Sequence, residues 1–141
     1  MPKRSNLLYW SFGLVILMAG LHFLANAFYL YWTYWWYDWM THFLAGLAGG
    51  LAAYWAILHS GLWRRKSDAI LLPVLAVLLC LMTVGIAWEF FEYTNGITDA
   101  YEENYALDVT IDLIMDALGA ILAVVIGVKQ TFLKNSSNTS L

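Results

Sequence analysis

The stretch from Leu107 to Gly119, LDVTIDLIMDALG, places Asp108, Asp112 and Asp116 four residues apart in an otherwise apolar segment. On an α-helix, residues at i, i+4 and i+8 follow one stripe that drifts by about 40° per step. Acids on a membrane-buried helix are costly unless they face a bundle interior or a polar partner. The stretch therefore predicts that the rest of the chain encloses a polar site.

Four apolar segments fill most of the 141-residue chain, and only 12% of its residues are charged, far fewer than in a soluble domain. We therefore predict an all-α membrane protein, a single four-transmembrane-helix bundle over residues 7–130. Its spans are expected at residues 7–31, 38–60, 70–93 and 108–129. A basic lead (1–6) and a disordered tail (131–141) are expected in the cytoplasm. Cys80, the single cysteine, lies in an apolar segment and is expected to pack there.

The first apolar run also resembles a signal peptide, because Ala25-Asn26-Ala27 is similar to a small-residue cleavage site. Its apolar core contains aromatic residues and His22 and is longer than a typical signal-peptide core. We therefore expect an uncleaved first helix. The Tyr- and Trp-rich residues 29–39 then favour the membrane–water interface, where such rings are common.

The orientation follows from the basic residues. With four spans, all seven fall on one side of the membrane: Lys3, Arg4, Arg64, Arg65, Lys66, Lys129 and Lys134. The positive-inside rule makes that side cytoplasmic. We predict cytoplasmic N- and C-termini (N-in/C-in) in a multi-pass protein of the cell inner membrane.

This topology brings polar residues of all four helices into one slab in the outer half of the bilayer. The set comprises His22 and Asn26 of the first helix, Asp38 and His42 of the second, Glu89 and Glu92 of the third, and Asp108, Asp112 and Asp116 of the fourth. Asp108 is expected at the rim as the helix N-cap. Asp112 is expected level with His42, and Asp116 about one turn deeper.

No lysine or arginine is predicted inside this slab, so a bound cation is one way to hold the acids. Carboxylates with imidazole suit Zn, Mn, Fe or Mg, and bundle helices are a known scaffold for such sites. The predicted metal ligands are Asp38, His42, Glu89, Glu92, Asp112 and Asp116, surrounded by His22, Asn26 and Asp108. The alternative is a set of protonated carboxylates in a proton-coupled or polar-ligand pocket.

Small residues on the second helix form the pattern Gly46-x3-Gly50. This spacing lets another helix approach closely, within the bundle or from a second copy in an oligomer. A lipid bilayer is the expected environment, and no nucleic-acid partner is expected.

The order of three motifs resembles the VanZ-like membrane proteins. They are Asp38-x3-His42-Phe43-x2-Gly46, Glu89-x2-Glu92 and Asp112-x3-Asp116-x2-Gly119. The chain departs from that family at Glu92, where Gln is usual, and at Asp116, where Asn is usual. Glu89-x2-Glu92-Tyr93 and the pair Asp108-x3-Asp112 are more similar to the YjdF-type inner-membrane proteins of bacteria. The resemblance, over residues 35–125, implies a small multi-span bundle. The link of VanZ to teicoplanin susceptibility points towards the cell envelope.

Three functions are compatible with this pattern. The first is metal-dependent hydrolysis or transfer on a lipid or cell-envelope substrate, with Glu89 and Asp112 as the catalytic residues and Glu89 as general base. The second is a carrier or sensor for a cation or proton, in which Asp112 and Asp116 titrate. The third is an accessory subunit whose acids pair with basic residues of a partner.

Overall fold

A computed structural model describes residues 6–58, 60, 71–96 and 104–139, with side chains omitted at 73 and 131–139. The described residues contain no β-strand. They form the helices α1 (Leu7–Phe28), α2 (Leu30–Thr33), α3 (Tyr37–Leu58), α4 (Leu71–Asn95) and α5 (Tyr105–Thr139).

Four segments are long and apolar enough to cross a membrane: Leu7–Phe28, Tyr37–Leu58, Val74–Asn95 and Tyr105–Gln130. In a bilayer core every backbone polar group needs an internal partner, which a helix supplies. The prediction of an all-α protein with four membrane-spanning helices is confirmed. The basic lead up to residue 5, His59, and the loop with its three basic residues at 64–66 lie outside the described residues, and the orientation stays a prediction.

The first span is shorter than predicted, because the helix stops at Phe28 instead of continuing to residue 31. Tyr29 adopts a left-handed conformation with φ 56°, and its N–H donates to the carbonyl of Ala25. That conformation is uncommon for a residue with a Cβ. The short helix α2 follows at once, so Tyr31 belongs to the connection between α1 and α3.

The last helix differs from the prediction at both ends. It begins at Tyr105, so Asp108 lies in its first turn and is not the N-cap. Its backbone is helical through Thr139, where a disordered tail was expected over residues 131–141. The second and third predicted spans differ less. Helix α3 ends at Leu58 instead of residue 60, and α4 ends at Asn95 instead of residue 93. Gly96, which follows α4, has a φ of 64°.

The bundle is built around the parallel pair α3 and α5. Helix α4 runs antiparallel to both and packs on them, whereas α1 packs mainly on α3. The apolar core comprises Leu7, Leu51, Tyr54, Val77, Leu81, Ala120, Ala123 and Val124. Most other large apolar side chains are exposed, as expected for a surface that faces lipid. Cys80, whose expected role is packing in an apolar segment, is also exposed in the bundle.

The glycines of α3 bring its backbone against α5 of the same chain. A Cβ on Gly46 would lie 2.8 Å from Cα of Asp116, and one on Gly50 would lie 2.6 Å from Cβ of Ala123. From the opposite side, a Cβ on Gly119 would lie 2.6 Å from the backbone N of Leu47. This seam of small residues corrects the proposed oligomer face, because α5 covers the Gly46 and Gly50 face that a second copy would need.

Candidate metal site

His42 lies near the start of α3 with its imidazole between acids of two helices. The residue is 6% exposed. Its Nε2 lies 3.9 Å from Oδ1 of Asp38, one turn earlier on α3. Its Nδ1 lies 3.4 Å from Oδ2 of Asp116 on α5. An ionised carboxylate only accepts hydrogen bonds, so an ionised Asp116 pairs with His42 through its Nδ1–H.

Asp112 completes a group of three potential metal ligands. Asp38, His42 and Asp112 each offer one ligand atom, and these atoms lie within 4.8 Å of one another. Around a tetrahedral zinc ion with bonds of about 2.0–2.2 Å, ligand atoms are separated by roughly 3.4 Å. Small side-chain movements of the two aspartates would therefore bring the three atoms to bonding distance of one ion.

Two carboxylate oxygens in this region are fully buried and have no hydrogen-bond partner among the described residues. They are Oδ1 of Asp112 and Oε1 of Glu89. Their residues are only 3% and 7% exposed, respectively. Leaving a buried acceptor unsatisfied costs about 1–3 kcal/mol, and more for a charged group. The two oxygens therefore require a partner such as a cation, a proton or an ordered water molecule.

The remaining predicted ligands occupy different places. Asp116 contacts the opposite nitrogen of His42 from the one that faces Asp38. Glu92 is half-buried on α4. Asp108, predicted beside the ligands and not as one of them, is half-buried at the start of α5. Of the six predicted ligands, the structure groups three around one point and sets Asp116 behind the imidazole.

Close helix packing puts the carboxylate of Asp116 in position. The backbone of Asp116 lies against Gly46, and a Cβ on Gly85 of α4 would lie 2.8 Å from its Oδ2. Glycine on both neighbouring helices thus leaves room for a buried acid between them. The sequence carried this signal in its glycine spacing, but it did not show which glycine faces which acid.

His22 and Asn26 are exposed on α1, instead of lying beneath the pocket as predicted. The amide of Asn26 donates to the backbone carbonyl of His22, 2.9 Å away, and Nδ1 of His22 lies 3.0 Å from the hydroxyl of Tyr31. The hydroxyl of Thr41 donates to Oδ1 of Asp38 at 3.3 Å. The sequence prediction missed Tyr31 and Thr41. For Tyr31 the sequence indicates only a Tyr- and Trp-rich interfacial stretch, and Thr41 lies directly before the predicted ligand His42.

No basic side chain offsets the acids in the described part of the chain. Lys129 is the one lysine or arginine whose side chain is described, and it lies about 25 Å from Asp112 along α5. His42 is therefore the one basic group that the described residues place beside the acids.

The architecture defines an integral membrane protein with four candidate spans and an acidic cluster between α3 and α5. A family model described as "Predicted membrane protein (DUF2238)" matches residues 1–131. The chain belongs to this family of predicted membrane proteins. Comparisons with curated proteins and with solved structures give no match. The narrower likeness to VanZ-like and YjdF-type proteins stays a prediction.

Proposed function

We propose that the protein binds a divalent metal ion through Asp38, His42 and Asp112 and uses it for hydrolysis or group transfer on a lipid or cell-envelope substrate. The observation that carries this proposal is the approach of the three donor atoms to within 4.8 Å of one another. The unpartnered buried oxygen of Asp112 supports it, because a cation at this point would give that oxygen a partner.

The donor set favours particular metals. One imidazole and two carboxylates suit Zn, Fe or Mn better than Mg, which prefers oxygen ligands and retains several waters. Three protein ligands leave a fourth position for water or substrate, as in catalytic zinc sites, whereas structural zinc sites are usually closed by four ligands. A set of three protein ligands therefore favours a reactive metal site over a purely structural one.

Glu89 fits the role of general base in this proposal. A bound metal ion would polarise the substrate and lower the pKa of its bound water. Glu89 is buried, and its Oε1 has no hydrogen-bond partner among the described residues, so it can accept a proton. The described residues supply no lysine or arginine beside the site, so the ion itself must hold a phosphate or ester oxygen.

The position of the site favours a substrate at the level of the lipid headgroups. The side chain of Asp38 is 38% exposed, so the site opens at the end of α3 where the Tyr- and Trp-rich stretch precedes it. Trp32 and Trp35 in that stretch are more than 70% exposed, as expected for rings at a membrane interface. Together with the resemblance to VanZ-like and YjdF-type proteins, this favours an envelope substrate reached from outside the inner membrane.

Packing beyond Asp116 weighs against a carrier. The next residues of α5 that face the interior are Gly119, Ala120 and Ala123. Ala120 and Ala123 join a cluster with Leu51, Tyr54, Val77 and Leu81 from α3 and α4. A transported ion would need polar groups along its path, and among the described residues below Asp116 the buried polar groups are the hydroxyls of Ser11 and Tyr54.

Elemental analysis of the full chain, purified without a histidine tag and loaded with zinc, manganese or iron, tests the metal site. We expect about one equivalent of one metal in the wild type and in Cys80→Ser, because the Cys80 side chain is exposed and does not belong to the group of three donors. His42→Ala and Asp112→Asn should lose it. A wild type that retains no metal would rule out the proposal.

Glu89→Gln separates binding from chemistry. This variant should keep its metal and lose hydrolysis of phosphate-ester and carboxylic-ester lipids assayed in nanodiscs. Retained hydrolysis in Glu89→Gln would remove Glu89 as the base, and loss of its metal would show that Glu89 is a ligand instead.

A further inference from the structure

Helices α3 and α4 pack closely at one level, and the contact face of α4 is uncovered closer to the candidate site. A Cβ on Gly49 of α3 would lie 2.8 Å from a methyl carbon of Leu81 on α4. Seven residues make about two helical turns, so Trp88 continues the face of Leu81. Leu81 is 7% exposed, whereas Trp88 is 47% exposed. The face of α4 that is covered at Leu81 is therefore open two turns further along.

The same two turns on α3 lead to the candidate site. Because α4 runs antiparallel to α3, counting from Gly49 towards the same end of the bundle reaches His42. His42 and Trp88 therefore lie at about one depth, and Phe91 is level with the turn of α3 that contains Asp38. The side chain of Asp38 is 38% exposed. The uncovered face of α4 is thus level with the exposed edge of the site.

An apolar groove lies at this uncovered part of α4. Its volume is about 290 Å³, and four side chains line it: Val84, Ala87, Trp88 and Phe91. Ala87 is the smallest of the four and lies within one turn of each of the others, so it forms the floor of the groove. All four belong to the candidate membrane span Val74–Asn95. In a bilayer the groove is therefore filled by hydrocarbon.

We infer that this groove holds an acyl chain of a membrane lipid whose headgroup reaches the candidate metal site. The inference rests on the proposed function for the reaction, and it narrows the substrate to a lipid that enters sideways along α4 from the surrounding bilayer. From Val84 to Phe91 the groove follows the helix for about 10 Å, within the roughly 15 Å of one half of the hydrocarbon core. Its end at Phe91 is level with Asp38, so the headgroup of the lipid lies at the depth of the metal donors.

The surroundings of the groove match a molecule that has both an acyl chain and a headgroup. Trp88 lies at the edge of the groove that continues the contact face with α3, and an indole ring combines apolar faces with one polar N–H. Such rings are common where the acyl chains of a bilayer meet its headgroups. The groove offers an apolar wall and the site offers oxygen and nitrogen ligands for a metal, whereas a water-soluble substrate would use only the second.

Photolabelling of the full chain in nanodiscs tests the groove without any metal. The probe is phosphatidylglycerol with a diazirine in one acyl chain, and mass spectrometry locates the adducts. We expect the highest yield on the peptide around Val84–Phe91. Ala87→Leu fills the floor of the groove and should lower this yield several-fold, whereas Ala19→Leu, the same change on the exposed surface of α1, should not.

Both alanines are exposed, so both variants should unfold at the temperature of the wild type. Equal labelling of the two variants would overturn the inference, and so would adducts spread evenly over the exposed surfaces of α1 and α4. In a Cys80→Ser background, a disulfide between two copies of Ala87→Cys in place of the lipid adducts would show that a second copy covers the groove.

Hydrolysis assays then test the link between the groove and the site. Each variant is given ester lipids in nanodiscs and, separately, the short esters para-nitrophenyl phosphate and para-nitrophenyl acetate. The ratio of lipid to short-ester hydrolysis should fall several-fold in Ala87→Leu and stay at the wild-type value in Ala19→Leu. An unchanged ratio in Ala87→Leu would refute the link. If the wild type hydrolyses neither kind of ester, the proposed function fails and the photolabelling alone decides whether the groove holds a lipid.

Discussion

Oδ2 of Asp116 lies 3.4 Å from Nδ1 of His42, on the far side of the imidazole from Asp38. Both residues are buried, at 5% and 6% exposure. A carboxylate that accepts from one ring nitrogen fixes the tautomer and orients the other nitrogen towards a metal, which is common around metal-bound histidine. This relationship favours Asp116 as an orienting group, whereas the sequence had suggested a direct ligand.

Replacing Asp116 should weaken metal binding without removing a ligand. We expect Asp116→Leu to lower zinc affinity by about 10–100-fold, the usual effect of losing such a partner. Asp116→Asn should be milder, because its side-chain carbonyl can still accept from Nδ1. Competition titration with a chromophoric chelator measures the zinc affinity of both variants. If Asp116→Asn loses as much affinity as Asp112→Asn, Asp116 is a ligand after all.

The seam between α3 and α5 should tolerate no added methyl group. Gly46→Ala puts a Cβ onto the backbone of Asp116, so the two helices must separate. Overpacking of this kind costs about 1–3 kcal/mol. Gly20→Ala on α1 is the matched control, since nothing lies within 4 Å of its Cβ, and alanine favours the helix by about 0.8–1.0 kcal/mol.

Thermal unfolding in detergent distinguishes the two glycine variants. We expect a lower melting temperature for Gly46→Ala and an unchanged or higher one for Gly20→Ala. Equal stability of Gly46→Ala and wild type would show that α3 and α5 do not contact each other through this seam.

The sequence predicted the positions of residues along each helix better than it predicted which helices are neighbours. Because the rise of a helix is fixed, counting residues from the membrane face brought His42 and Asp112 to one level, and the structure groups both with Asp38. Counting does not give the arrangement of helices around the bundle. Helix α1 packs mainly on α3, so His22 has the right depth but contacts Tyr31 instead of the acids on α5.

Local backbone geometry accounts for other differences. Hydropathy continues through residue 31, but the left-handed Tyr29 ends α1 and creates the connection that carries Tyr31. A tyrosine at positive φ has no signal in an apolar pattern, since glycine or asparagine would be expected there. The glycine spacing of α3 predicted close packing correctly, yet it could not distinguish α5 of the same chain from a second copy.

Cysteine labelling tests the predicted orientation. In a Cys80→Ser background, Asn95→Cys lies at the last residue of α4 and Ser60→Cys lies after α3, at opposite ends of the bundle. With the N-terminus cytoplasmic, a membrane-impermeant maleimide should label Asn95→Cys in intact bacterial cells. It should label Ser60→Cys only after permeabilisation. The reverse pattern would place the acidic cluster at the cytoplasmic side and contradict the positive-inside assignment.

Gly85→Ala tests the position of the Asp116 carboxylate without altering a polar group. A Cβ at this site would lie 2.8 Å from Oδ2 of Asp116 and 3.0 Å from a methyl group of Leu113. Both neighbours are side-chain ends that can move, so we expect a smaller loss of stability than in Gly46→Ala. The displaced carboxylate, however, cannot keep its present contact with His42, and zinc affinity should fall several-fold.

Zinc titration and thermal unfolding of the same preparation measure the two effects separately. Wild-type affinity in Gly85→Ala would mean that His42 does not depend on Asp116 for its orientation. A loss of stability as large as that of Gly46→Ala would mean that α4 packs on α5 as rigidly as α3 does.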